Sequence, residues 1–367
     1  MLTLLATIVI TLGIAQIISS YRGWRAASLT GPHRKWGIAV GGLLTLLGGW
    51  GIEGQGLAQV WPVFGGLLLA APLALLILLL AGSYLWPPEH PDHFFSPDHA
   101  GHGGCTRLDI ADGPHQIPAY LLRPLPPKQT QAAVCILHGS GDNKRGFKWR
   151  LARALLAEGL TVLTIDLPGH GDYLHHPLAY PDALSTVPAA VCFLRQQDGV
   201  DRVGLLGISL GGAIGLKALV WPDRADFSVD ALALLELPLW VRYNRQLVYR
   251  EAWRALNAPL MSLFQEMSLR QLRQSWQEGA IRSRHSTDEM FHLLDPSGSM
   301  QQLPPRLPTL LVYSRHDPIA PLSFGQALQQ AAPHAELLAV EGASHVTLTL
   351  MPQVNQQVAR WLRAALS

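Results

Sequence analysis

Hydrophobic positions along the chain follow different rules in successive stretches. Up to Trp86 they run almost unbroken. Residues 1–19 carry no charged side chain, a second apolar block covers 36–52, and a third covers 57–86. A helix of about 20 apolar residues crosses ~30 Å of hydrocarbon. Residues 1–86 are therefore expected to form a membrane anchor of two or three transmembrane helices, with spans at 1–19, 36–52 and 57–86. Pro72 is tolerable inside such a helix. Trp36, Trp50, Trp61, Tyr84 and Trp86 stand near the block ends, where interfacial aromatics belong. No Lys or Arg precedes Arg22, so the basic start of a cleaved signal peptide is missing.

Residues 87–104 are rich in Pro, Gly, His and Asp, have no periodicity and read as a solvated linker. Their histidines (His90, His93, His99, His102) match no standard metal-site spacing. From Cys105 the pattern changes to short apolar runs alternating with helical periodicity. CTRLDIAD and IPAYLLRP open as strands, followed by AAVCILHG, TVLTIDLPG, RVGLLGIS, VDALALLEL, PTLLVYS and AELLAVEG. Helical patterns lie at RLARALLAEG, around Val187–Gln197 and at LGGAIGLKALV. Continuous apolar strands separated by helices predict a mostly parallel sheet covered on both faces. Residues 240–304 interrupt this rhythm with helical periodicity and no strand, and read as a helical cap inserted into a domain spanning 105–367.

Charge refines the picture. The chain is 49% hydrophobic and only 15% charged, with mean hydropathy +0.18, against about 25% charged in ordinary soluble domains. Arg22, Arg25, Arg34 and Lys35 face only Glu53 before Trp86. By the positive-inside rule the first loop is cytoplasmic, and three spans would then place the main domain in the cytoplasm of a multi-pass cell-membrane protein. The remainder is near neutral and carries no recognition motif, which excludes a nucleic-acid partner. The three cysteines, Cys105, Cys135 and Cys192, are too few and too far apart for a disulfide framework or a zinc site.

Candidate chemistry gathers at the ends of the expected strands. Gly207-Ile208-Ser209-Leu210-Gly211 lies where a buried strand gives way to a helix, the context a G-x-S-x-G nucleophile turn requires. A serine needs a base, and the base needs an orienting carboxylate. After Ser209, Asp317 follows the strand PTLLVYS and His345 follows AELLAVEG. His316 competes as the base but sits beside the acid. Glu236 competes as the acid, because it ends the strand after the nucleophile's helix. The backbone N–H of Leu210 and that of Ser140, with Gly139 as the next choice, are expected to form an oxyanion hole. His170, in the turn DLPGHGD, reads as part of a tight structural turn.

HGSG, DLPGHG, GISLGG, SRHDP and GASH occur in one order between Cys105 and Ser367. Together they resemble the α/β-hydrolase superfamily, in particular its esterase, monoglyceride-lipase and serine-aminopeptidase-like branch. The resemblance implies Ser209 as nucleophile, Asp317 as acid, His345 as base, and no cofactor or metal. The function expected is a membrane-anchored serine hydrolase that cleaves carboxylic esters, lipophilic acyl esters among them, through an acyl-enzyme, with small-molecule acyl esters or amides as substrates and membrane lipid as surroundings. Two alternatives stay open: a peptidase or amidase using the same triad, and a catalytically silent membrane scaffold. Acyl length and oligomeric state are not legible.

Overall fold

A computed structural model of the protein describes residues 2–25, 31–53, 91–99, 101–126, 131–146, 149–222, 227–242, 245–247, 250–251 and 281–367. The chain divides into two units, Met1–Glu89 with Leu256–Leu272, and His90–Ala255 with Arg273–Ser367.

In the first unit, α1 (Leu2–Arg25) packs along α2 (Gly31–Glu53). Glycines bring their backbones together. A Cβ on Gly41 would lie 2.7 Å from the Gly13 carbonyl oxygen, and one on Gly48 would lie 2.8 Å from that of Ala6. Thr7 and Gln16 are buried, whereas Leu5, Leu43, Leu46, Leu47 and Trp50 are exposed. This is the reverse of the apolar-inward pattern that water selects. Among the described residues no helix is long and apolar enough to cross a membrane, so the expected spans at 1–19 and 36–52 find no described counterpart. The expected span 57–86 lies outside the described residues.

In the second unit, part of the stretch expected as a solvated linker is packed into the domain. It contains the short helix α3 (Pro91–Phe94). Phe94, Phe95 and His102 are buried, with Phe94 against Trp149 and Phe95 against Tyr120. The two aromatics overcome the local Pro and Gly content, because large rings gain most from leaving water.

One eight-stranded sheet follows: β1 (Gly104–Asp112), β2 (His115–Arg123), β3 (Ala132–Leu137), β4 (Thr161–Ile165), β5 (Arg202–Ile208), β6 (Ala231–Leu235), β7 (Thr309–Ser314) and β8 (Glu336–Val340). The spatial order is β1-β2-β4-β3-β5-β6-β7-β8. β2 pairs antiparallel with β1 and β4, and all other pairs are parallel. β3, β4, β6 and β7 are buried along their whole length, as strands covered on both faces must be. β8 was expected to be buried as well. It is one of the two edge strands, with Glu336 and Ala339 exposed.

The helices are α4 (Trp149–Ala157), α5 (Thr186–Arg195), α6 (Leu210–Leu219), α7 (Thr287–Leu294), α8 (Pro296–Gln301), α9 (Leu322–Ala331) and α10 (Pro352–Ala365). Successive strand residues face opposite ways. On β5, a Cβ on Gly204 would meet Leu362 of α10, whereas Leu205 approaches Gly215 of α6. α6 and α10 therefore cover opposite faces. α10 buries Val354, Val358, Ala359 and Leu362 on one side and starts on Pro352. Of residues 240–304, the described α7 and α8 place Met290, Phe291, Leu294 and Met300 in the main core. That part of the expected cap is built into the domain, and 252–280 lies outside the described residues. Cys135 is fully buried in β3, and burial pushes its thiol up to about 12.

A buried ion pair ties the loop after β3 to the loop after β4. Lys144 Nζ lies 2.5 Å from Asp166 Oδ2 and 2.6 Å from Asp172 Oδ2, while Lys144 N–H donates to Asp166 Oδ1. Lys144 and Asp166 are both buried. Removing one partner strands the other charge, at a typical cost of about 3–5 kcal/mol. Lys144→Met is expected to lose that order of unfolding free energy in urea titration, and adding Asp166→Asn to recover part of it. A single variant as stable as the native protein would contradict this account.

Candidate active site

β5 ends at Ile208 and α6 begins at Leu210, which leaves Ser209 alone in the turn with φ 50° and ψ −116°. A non-glycine residue at positive φ is strained and persists only where its surroundings enforce it. The neighbouring glycines are required by close approach. A Cβ on Gly207 would stand 2.4 Å from Gly212 Cα, and one on Gly211 would stand 2.4 Å from the His138 carbonyl oxygen. The tight turn projects the serine at the C-terminal edge of the sheet.

Two further strand ends bring their loops to the same point. His345, after β8, places Nε2 3.1 Å from Ser209 Oγ and Nδ1 2.7 Å from Asp317 Oδ2. Asp317, after β7, accepts at Oδ1 from the N–H groups of Ile319 and Ala320, at 2.7 and 2.8 Å. An ionised carboxylate only accepts, so the imidazole proton sits on Nδ1 and the Nε2 lone pair faces the serine hydroxyl. Burial acts to lower the His345 pKa, but the Asp317 charge and hydrogen bond, with the Glu251 charge, outweigh it, and the net shift is upward.

Glu236 is fully buried beside this chain, with Oε2 3.9 Å from His345 Nδ1. Burial, followed by the Asp317 and Glu251 charges, raises its pKa well above the ordinary carboxyl value. The hydrogen bond to His345 goes to Asp317. His316 stands half exposed near Glu341, and so does not serve as the base in this arrangement. His170 is buried in its turn, with Nδ1 2.9 Å from the Pro168 carbonyl.

The loop after β3 closes over the serine. A Cβ on Gly139 would be 3.4 Å from Ser209 Cβ, in ordinary contact, which places this loop directly against the serine. Leu167 N–H donates to His138 Nε2 at 2.9 Å, which puts the His138 proton on Nδ1 and lets it donate to the Gly139 carbonyl at 2.8 Å. That bond fixes the Gly139–Ser140 peptide. Leu210 opens α6, and its N–H is one of the four that have no carbonyl partner within a helix.

Three contributors were not read from the sequence. His138 orients the loop, the Lys144–Asp166 pair braces it, and Glu251 accepts from Val346 N–H at 2.9 Å, directly after His345. His138 sits in the HGSG motif and was visible there. Glu251 lies in the cap-like stretch, where no local pattern marks it.

Comparison with known proteins agrees with this architecture. The Alpha/beta hydrolase family matches residues 133–361. The chain belongs to the alpha/beta hydrolase family. It is 29% identical over 243 residues to the dihydrolipoyllysine-residue acetyltransferase component of an acetoin cleaving system from Pseudomonas putida, covering 63% of each chain. It is 21% identical over 250 residues to a 2,6-dihydropseudooxynicotine hydrolase of Paenarthrobacter nicotinovorans, covering 67% of this chain and 60% of the relative. The chain thus spans less than two thirds of the length of both relatives. Among solved structures, an esterase of Pyrococcus furiosus shares the fold with a TM-score of 0.52 at 16% identity, over 74% of this chain and 95% of that one.

A raised His345 pKa has a kinetic consequence. The base must be neutral to take a proton, so kcat/KM for an ester is expected to climb with pH through a midpoint above 6.5, the ordinary histidine value. An acid limb centred below 6.5 would contradict the described electrostatics.

Proposed function

We propose that the protein is a serine hydrolase that cleaves carboxylic esters through an acyl-enzyme. The observation that carries this reading is the unbroken chain Ser209 Oγ, His345 Nε2, His345 Nδ1, Asp317 Oδ2, with steps of 3.1 and 2.7 Å across the ring. Ser209 Oγ attacks the ester carbonyl and its proton passes to His345 Nε2. Asp317 holds the ring and stabilises the imidazolium. The N–H groups of Leu210 and Ser140, or Gly139 in place of Ser140, receive the developing oxyanion. The imidazolium returns the proton to the departing alcohol, leaving an acyl-serine. Water then attacks that ester with His345 as base, releasing the acid and restoring the hydroxyl.

Val346, next to His345 and exposed, favours lipophilic acyl groups. The esterase likeness of the fold suits ester over amide cleavage, and the same residues could act on either. A fluorophosphonate probe is expected to label the native protein and not Ser209→Ala, and p-nitrophenyl esters to turn over faster than aminoacyl anilides. Labelling that survives Ser209→Ala would remove the proposed nucleophile. No labelling of the folded native protein would favour a silent scaffold, and faster anilide cleavage would replace the ester with an amide.

We further propose that the first unit holds the enzyme at a membrane. Its support is the inverted surface of the α1–α2 pair, with small and polar residues inward and large apolar ones outward, a pattern suited to lipid. Cytoplasmic placement of the hydrolase unit would need three crossings, and no described helix supplies one. The native protein is expected to float with liposomes, and Leu43→Glu/Leu46→Glu to shift it toward the aqueous fraction. A native protein that stays entirely in the aqueous fraction would overturn the anchor.

A further inference from the structure

Two buried carboxyl groups meet one imidazole at this site, and they are built differently. The His345 nitrogen and one oxygen from each of Asp317 and Glu236 lie within 4.8 Å of one another. Asp317 is arranged as an anion, because two backbone N–H groups serve its Oδ1 and His345 serves its Oδ2. Neither oxygen of Glu236 has a hydrogen-bond donor of ordinary geometry among the described residues, although the side chain is fully buried. Two adjacent carboxylates in a dry site cannot both carry charge. The single proton therefore belongs on Glu236, the group with no donors.

The backbone supports a deliberate placement. Glu236 has φ 49°, one of three non-glycine residues at positive φ among those described, and Ser209 is another. Its N–H donates to the Val312 carbonyl on β7 at 2.8 Å. The next residue's carbonyl, that of Leu237, accepts from Tyr313 O–H at 2.6 Å. These bonds pin both sides of Glu236 to β7, from which Asp317 emerges. The groups facing the carboxyl are Asp317 from the β7 loop, His345 from the β8 loop, Tyr313 from β7 itself and Glu251 from the segment after β6.

We propose that Glu236 is a second acid of the triad, a protonated positioning residue that shares one negative charge with Asp317 and accepts the His345 Nδ1–H bond when Asp317 cannot. The proposal rests on the serine-hydrolase reading above. No bond to substrate is involved. Where Asp317 is replaced by a neutral amide, the Glu236 proton leaves to solvent, the resulting carboxylate takes the Nδ1–H bond, and His345 keeps the tautomer that presents its Nε2 lone pair to Ser209; the site then still holds one negative charge.

The test is a double-mutant cycle on the full chain with a p-nitrophenyl ester, comparing native, Glu236→Gln, Asp317→Asn and Asp317→Asn/Glu236→Gln. Replacing a lone triad acid by its amide typically costs about 10⁴ in kcat. Glu236→Gln alone is expected to lower kcat/KM by a few fold. Asp317→Asn is expected to lose about 10²-fold, and the double variant about 10⁴-fold. Glu236→Gln would thus cost at least ten times more on the Asp317→Asn background than on the native one. The pH profile supplies a second readout. Activity of Asp317→Asn requires ionised Glu236, which lacks backbone donors, so its acid limb should lie at higher pH than the native limb and disappear in the double variant.

Near-UV circular dichroism identifies any variant that fails to fold. Asp317→Asn/Glu236→Asp then serves in the cycle, expected to keep more activity than the folded Asp317→Asn/Glu236→Gln or, if that is the casualty, than Asp317→Asn/Glu236→Ala. Equal costs of Glu236→Gln on both backgrounds, with an unmoved acid limb, would overturn the proposal. A near-native Asp317→Asn beside an inactive Glu236→Gln would also overturn it, by making Glu236 the sole acid. Full activity in Ser209→Ala would instead sink the serine-hydrolase reading on which the proposal stands.

Discussion

The hydrogen bond from Ser209 N–H to the Leu235 carbonyl, 2.9 Å, carries the β5–β6 ladder one residue beyond the end of β5. Glu236 N–H to Val312 O repeats the pattern between β6 and β7, at 2.8 Å, and Arg315 N–H to Val340 O repeats it between β7 and β8, at 2.9 Å. Each strand end is thus tied to its neighbour at the level where the chain departs into a loop. Parallel register does the rest, because all four strands point their C-termini to one edge. Ser209, Glu236, Asp317 and His345 are far apart in sequence, yet their positions are set by these few backbone bonds. This is why ligands and chemistry in open parallel sheets gather outside the carboxyl ends of strands.

Electrostatics then distinguishes residues that topology treats alike. Asp317 and Glu236 both follow strand ends and both lie near His345. Backbone donors single out Asp317, because the turn at Ile319 and Ala320 presents two N–H groups to one oxygen. A carboxylate so solvated by the backbone can stay ionised in a buried site. Glu236 has no such turn. The same principle operates across the serine, where His138 is held between Leu167 N–H and the Gly139 carbonyl so that the loop peptide keeps one orientation. Preorganised dipoles of this kind act without reorganisation cost when charge develops.

The strands that build the core were legible because each is a continuous apolar run. AAVCIL, TVLTI, ALALL and TLLVYS each match a strand buried along its whole length. AELLAVEG has the same composition but lies at the sheet edge, and a composition rule cannot see how many neighbours a strand has. The apolar pattern of α10 is also a helical signal, starting on Pro352 with Val354, Val358 and Leu362 on one side. Phe94 and Phe95 are the buried signal within the Pro- and Gly-rich stretch before β1. Glu236 competes with Asp317 as the acid because the sequence places both after strands. The backbone N–H donors of Ile319 and Ala320 separate them, and those come from a three-dimensional turn. Glu251 reaches His345's neighbour from a segment without any local motif, so its role was not legible at all.

The first unit shows the opposite limit. Its hydropathy is plain in the sequence, but hydropathy alone does not say which face of a helix is covered. The α1–α2 contact is built from Gly13, Gly41 and Gly48, where bulkier residues would collide with backbone. That packing turns Leu43, Leu46, Leu47 and Trp50 outward. In water such a surface would favour association with something apolar, whereas in hydrocarbon it costs nothing and the close helix contact supplies the cohesion. The number of crossings and the arrangement of faces are therefore separate physical questions. The arrangement of faces is the one on which the proposed membrane attachment rests.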